Sequence, residues 1–120
     1  MVVVDASALA AIAFDDEQAP EMIALLEGEE MHAPSVFGLE MAHATLSRCR
    51  RSPGKAERFT TGLRHVLDMP IVLHAVDPLL AFAVASETGL SAYGASYLWL
   101  ARSLRVPLVT ADRKLRAVAE

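Results

Sequence analysis

The stretch Val2-Val3-Val4-Asp5-Ala6-Ser7-Ala8-Leu9, continuing as Ala10-Ala11-Ile12-Ala13-Phe14, decides the fold. Three successive β-branched residues favour extended backbone, and an unbroken apolar run of this kind suits a strand buried on both faces. The residues after Asp5 are mostly alanine and leucine, the strongest helix formers. A buried strand that feeds directly into a helix is the opening of an α/β unit. Asp5 stands at the junction, where its carboxylate can cap the helix.

The same alternation continues along the chain. A second helix is expected from Pro20 to about Leu26, stopping near Gly28, and Met31-His32-Ala33 suits a short strand. Ser35 opens a helix through roughly Arg50, with Leu39, Ala42, Leu46 and Cys49 forming one apolar stripe. Pro53-Gly54 breaks it, another helix covers about Lys55 to Leu67, and Ile71-Val72-Leu73 supplies the next strand. Asp77-Pro78 is a strong helix start, a capping carboxylate before proline at the first helical position, and this helix ends before Gly89. Ser91 starts a helix to about Leu104, Val106 to Val109 is the last strand, and Asp112 starts the terminal helix. No repeat, low-complexity tract or long linker interrupts residues 1–120, so a single domain is expected. Apolar strands separated by helices imply a three-layer α/β/α fold with a parallel sheet.

Bulk properties narrow the function classes. With 53% hydrophobic and 22% charged residues among 120, the chain is expected to be folded. No apolar run approaches the ~20 residues of a membrane span, and the N-terminus lacks a basic leader. The single Cys49 cannot form an intrachain disulfide, which fits a reducing cytoplasm. A net charge of −4 argues against a uniformly basic nucleic-acid binder. Two basic stretches remain as local candidates: Arg48, Arg50, Arg51, Lys55 and Arg58, and then Arg113, Lys114 and Arg116. Either also suits a solvated surface.

The carboxylates carry the chemical argument. Open α/β sheets form their sites beyond the carboxyl ends of the strands, and Asp5 and Asp112 both fall there. Each alone is an ordinary cap. On adjacent strands ~4.8 Å apart, the two can grip one cation. Glu40 is the only acid between Ser35 and Arg50, in line with His43 and Ser47 at helical spacing. It is either part of a surface strip or a buried acid that a cation would relieve. Such an oxygen set suits magnesium, with manganese as the alternative ion. Ser7 and Thr110 are placed to orient metal-bound water or to cap the backbone. The four histidines show no zinc spacing, and no phosphate-cradling glycine loop is present.

Four segments together resemble the PIN domain, across nearly the whole chain. VVVDASAL is similar to its first motif, an Asp ending strand one with a hydroxyl residue two positions on. APSVFGLEMAHATL resembles the second, a helix carrying the acid Glu40, and PLVTADRKL resembles the last, with Thr110 and Asp112. LSAYGASYLWLA resembles the third, except that Gly94 stands where the family has Asp. His43 is a milder departure, since many relatives have Asn. The resemblance implies a parallel sheet of four or five strands and a metal-dependent endoribonuclease of the VapC toxin type. Catalysis and metal binding would fall to Asp5, Glu40 and Asp112, supported by Ser7 and Thr110. It also implies an RNA substrate, a cognate antitoxin and a homodimer. Gly94 is expected to weaken the metal site, either by natural drift or as a disarming substitution. The alternative is a non-catalytic module of the same fold that binds its antitoxin and aids repression of their operon. Receiver and dehalogenase-like readings fail, because the chain lacks an acid within IVLHAV and a second acid in Asp5-Ala6-Ser7. Some of Met22, Ile23, Leu26, Phe59, Leu63, Val66 and Leu67 are expected to line a groove for an antitoxin segment, which would place an Arg in the acidic pocket.

Overall fold

A computed structural model describes all residues from 1 to 120. Strand β1 (Val2–Val4) leads into α1 (Ala6–Ala13), as the opening stretch predicts, and Val3 and Val4 are wholly buried. Then come α2 (Ala19–Leu26), β2 (Met31–Pro34), α3 (Phe37–Arg51), a 3-10 turn (Pro53–Lys55) and α4 (Ala56–Leu67). The chain continues as β3 (Val72–His74), α5 (Pro78–Thr88), α6 (Ala92–Leu104), β4 (Leu108–Val109) and α7 (Arg113–Ala119). The four strands form one parallel sheet in the order β3-β2-β1-β4. Helix α6 lies across β1, β2 and β4 with α5 outside it, while α1 to α4 pack together as the opposite layer. Parallel strands must be joined by crossovers, and these helices are the crossovers.

The register puts β4 directly beside β1, with Val3 opposite Leu108 and Val4 opposite Val109. Asp5 and Asp112 therefore leave the same edge of the sheet from neighbouring strands. The capping expectations hold in detail. Asp77 accepts from Leu79 N–H at 2.8 Å, Ser91 from Gly94 N–H at 3.1 Å and Asp112 from Leu115 N–H at 3.1 Å. Gly89 ends α5 at φ +76°, a conformation that favours glycine.

Three packing expectations change. The buried face of α3 is Phe37, Met41 and Thr45, whereas Leu39 is 76% exposed and Leu46 45% exposed. Both sides of this helix carry apolar residues, and the side that meets α1 wins the core. In the expected groove, Met22, Phe59 and Val66 are core residues, and Leu26 and Leu63 pack against the core. Only Ile23 and Leu67 of that set stay largely exposed, because α1 already covers the inner faces of α2 and α4. Strand β3 runs one residue later than expected and forms a sheet edge, with Val72 and Leu73 open to solvent. No helix is long and apolar enough to cross a membrane.

Candidate active site

At the carboxyl edge of the sheet a cleft of about 350 Å³ is lined by Asp5, Ser7, Glu40, Gly94, Tyr97 and Asp112 among others. All three acids singled out from the sequence thus border one space, together with Gly94. A cleft of about 450 Å³ runs beside the outer edge of β4, but its one cation, Arg116, already faces Glu21 at 3.7 Å.

Asp5 is the most constrained of the acids. Its Oδ1 accepts from the Ser7 hydroxyl at 2.7 Å and from Ala8 N–H at 3.1 Å, which caps α1. Its Oδ2 accepts from the Thr110 hydroxyl at 2.9 Å. The network continues outward, because Ala111 N–H donates to Ser7 Oγ and Asp112 N–H donates to Thr110 Oγ1. Ser7 and Thr110 accordingly spend their protons on Asp5 and their lone pairs on the last βα turn. Burial pushes the Asp5 carboxyl up to about 6, against the opposing pull of these donors, with Asp112 adding repulsion.

Asp112 keeps one oxygen on Leu115 N–H as the cap of α7, and its other oxygen has no protein donor. Glu40 projects from the first turns of α3, and its Oε1 accepts from the Tyr97 hydroxyl at 2.6 Å. Glu40 is neither a surface strip member nor a fully buried acid: it is half-buried, and His43 beside it is exposed. Tyr97 was absent from the sequence reading of the site. Its signal is a phenol one turn beyond Gly94 on the same helix, where a buried O–H needs a partner.

Gly94 lies in the first turn of α6, where its N–H is held by Ser91. A Cβ added there would meet only Ser91 Oγ at 3.5 Å and Leu90 Cβ at 3.9 Å, both ordinary contacts. The position can accept a Cβ without movement. The only cation lining the cleft is Lys114, whose Nζ donates to Gly89 O at 2.7 Å. The first basic stretch works elsewhere: Arg48 pairs with Asp16 at 2.5 Å and lies over the Phe14 ring.

No three of the His, Cys, Asp and Glu side chains lie close enough together to hold an ion unaided. The donor set still fits magnesium, which keeps several waters and takes only one or two carboxylates directly. Glu40 and Asp112 each have an oxygen free of protein donors, and the buried Asp5 charge lacks a cationic partner.

The whole chain compares closely with known proteins. The family model described as PIN domain matches residues 2–120. Ribonuclease VapC9 of Mycobacterium tuberculosis is 34% identical over 115 residues, covering 96% of this chain and 88% of the relative. Ribonuclease VapC3 of Pyrobaculum aerophilum is 29% identical over 119 residues, covering 95% and 91%. Among solved structures, the P. aerophilum protein PAE2754 superposes with a TM-score of 0.76 at 28% identity, covering 97% of this chain and 82% of that one. M. tuberculosis VapC20, a sarcin-ricin loop cleaving toxin, shares the fold with a TM-score of 0.68 at 13% identity, covering 98% and 95%. Fold and sequence agree, and the chain belongs to the PIN domain family, alongside the VapC ribonucleases.

Proposed function

We propose that this chain is a magnesium-dependent endoribonuclease toxin of a toxin-antitoxin pair, acting in the cytoplasm as a single domain and weakened by Gly94. The observation that carries the reading is the meeting of Asp5, Glu40 and Asp112 on one cleft at the carboxyl edge of the sheet. Its chemistry follows from the placement of these groups. Asp5, Glu40 and Asp112 would hold the ion, with manganese able to replace magnesium. When bound, such an ion supplies positive charge to the scissile phosphate and makes a coordinated water more acidic.

The chain's own residues prepare the site. Ser7 and Thr110 hold both Asp5 oxygens, so the buried carboxylate cannot turn away from the cleft. Lys114 offers a positive charge to an incoming RNA phosphate, which an acid-lined cleft would otherwise repel. Overall acidity restricts RNA contacts to this local rim. Relatives that are named ribonucleases support the substrate class. A cognate antitoxin and a homodimer are the partners the family resemblance implies. Of the expected antitoxin groove, the exposed Ile23 and Leu67 remain as contacts, with an arginine of the partner entering the acidic cleft.

Gly94 favours a second reading, a non-catalytic module that binds its antitoxin and aids repression. Cleavage of a mixed RNA pool with magnesium separates the two. Wild type and Gly94→Asp are compared, with Asp5→Ala as the blank. Weak wild-type cleavage that rises on Gly94→Asp supports the attenuated toxin. Equal, robust cleavage by both overturns attenuation, and no cleavage by either leaves the binding module.

A further inference from the structure

Helix α6 lacks the acid expected at Gly94, yet one turn later on the same face it delivers Tyr97 into the cleft. The ring is 2% exposed and packs within the main core, so its position is set by the fold. Its hydroxyl donates to Glu40 Oε1 at 2.6 Å, across 57 residues of sequence. A neutral donor this close to a carboxylate makes a charge-assisted bond, stronger than one to a backbone carbonyl. Tyr97 therefore ties Glu40, on α3, to α6 at the cleft. Glu40 has no other protein donor, and its free rotors would otherwise let a half-buried carboxylate swing to solvent.

We infer that Tyr97 is a positioning residue whose hydroxyl fixes one oxygen of Glu40 and turns the other toward a divalent cation in the cleft. This rests on the metal-dependent reading above. A phenol that merely satisfied its own burial would leave metal affinity untouched when removed. One that orients a ligand lowers that affinity roughly 10- to 100-fold when lost, the range for partners that hold metal ligands.

The experiment measures Mn²⁺ affinity by calorimetry for wild type, Tyr97→Phe, Glu40→Gln and the double variant, each also in the Gly94→Asp background. Asp5→Ala is the baseline, and thermal unfolding in EDTA reports packing separately. Tyr97→Phe keeps the ring and should weaken Mn²⁺ binding about tenfold. In Glu40→Gln the same change should alter affinity less than about twofold, because coupled residues are non-additive. Unchanged affinity in Tyr97→Phe overturns the positioning role, whatever happens to stability in EDTA. An equal loss with and without Glu40 overturns it too, by showing that Tyr97 acts through another group. No binding above the Asp5→Ala baseline in wild type or Gly94→Asp overturns the metal reading itself, and Tyr97 falls with it.

Discussion

The sheet wall of the cleft and its helix wall are built on different principles. On the sheet wall, Asp5 accepts three hydrogen bonds and Asp112 one, and the hydroxyls of Ser7 and Thr110 join them into a single network. Those bonds also cap α1 and α7 and tie β1 to the turn after β4. On the α6 wall, Ser91 already caps the helix through Gly94 N–H, and Gly94 adds nothing beyond backbone. On the function proposed above, the sheet-wall acids would serve folding and chemistry together, whereas an acid at position 94 would serve chemistry alone. That difference explains how the fold keeps its shape with glycine at position 94.

The largest expected effect tests the sheet wall. Asp5→Asn should reduce magnesium-dependent cleavage to background, even when Gly94→Asp is also present. Its stability effect has a definite sign. Folding raises the Asp5 carboxyl from 3.8 to about 6, so the native state holds that proton more tightly than the unfolded chain. The associated stability is fully present below pH ~4 and is lost as pH rises through about 6, a change on the order of 3 kcal/mol. Above pH 6, the ionised Asp5 is a cost that asparagine avoids. Thermal unfolding of both proteins without divalent ions from pH 4 to 7.5 measures this. The wild-type deficit should shrink as pH falls. A constant difference between the two would break the account of Asp5 as a desolvated charge.

Gly94→Asp tests the other wall, and here activity should change far more than stability. The new Cβ meets only ordinary contacts, and aspartate suits the first turn of a helix by about 0.3–1 kcal/mol. Repulsion from the acids across the cleft opposes that gain, so unfolding free energy without metal should stay within about 1 kcal/mol of wild type. Mn²⁺ affinity and RNA cleavage should each rise about tenfold or more, 1.4 kcal/mol per factor of ten. A large loss of stability in Gly94→Asp would show that the α6 wall is as constrained as the sheet wall, and the contrast would disappear.

Thr110→Val sharpens the comparison within the sheet wall. It preserves shape but removes the donor to Asp5 Oδ2 and the acceptor for Asp112 N–H. The expected cost is about 1–3 kcal/mol, since buried partners are left unsatisfied. Loss of a donor to the charged form should also move the Asp5 carboxyl further up. Urea unfolding gives the first quantity, and NMR titration of Asp5 gives the second.

What was legible in the sequence divides along similar lines. Caps are local, so Asp77-Pro78, Ser91 and Asp112 declared their helices within four residues. The apolar strands likewise announced a parallel sheet. Adjacency of β1 and β4 spans more than 100 residues, and no local pattern encodes it. The buried side of α3 was misread because both Leu39-Ala42-Leu46 and Phe37-Met41-Thr45 make plausible stripes, and only the position of α1 chooses between them. Tyr97 escaped notice for a related reason. Its partner Glu40 lies on another helix, and an aromatic residue at helical spacing reads as core, which it also is.

The smallest expected effect concerns Lys114, the one cation on a cleft otherwise lined by acids and neutral groups. It sits half a turn past Asp112, so the sheet wall carries both the acid and the charge that offsets it. Its only protein partner is the Gly89 carbonyl, in an exposed bond. Lys114→Met should therefore change stability by no more than about 0.5 kcal/mol, as for most surface substitutions. RNA affinity should fall modestly, and the slope of log K against log salt should become shallower by about 0.7 for a single-stranded substrate. Fluorescence anisotropy with a short labelled RNA from 50 to 200 mM salt, a range over which phosphate contacts register, reads that slope in the Asp5→Asn background, where cleavage cannot interfere. A matched loss of slope for Arg113→Met would spread the contact over the whole basic start of α7. An unchanged slope for Lys114→Met would remove RNA phosphate from this side of the cleft and leave Lys114 as a simple tie to the end of α5.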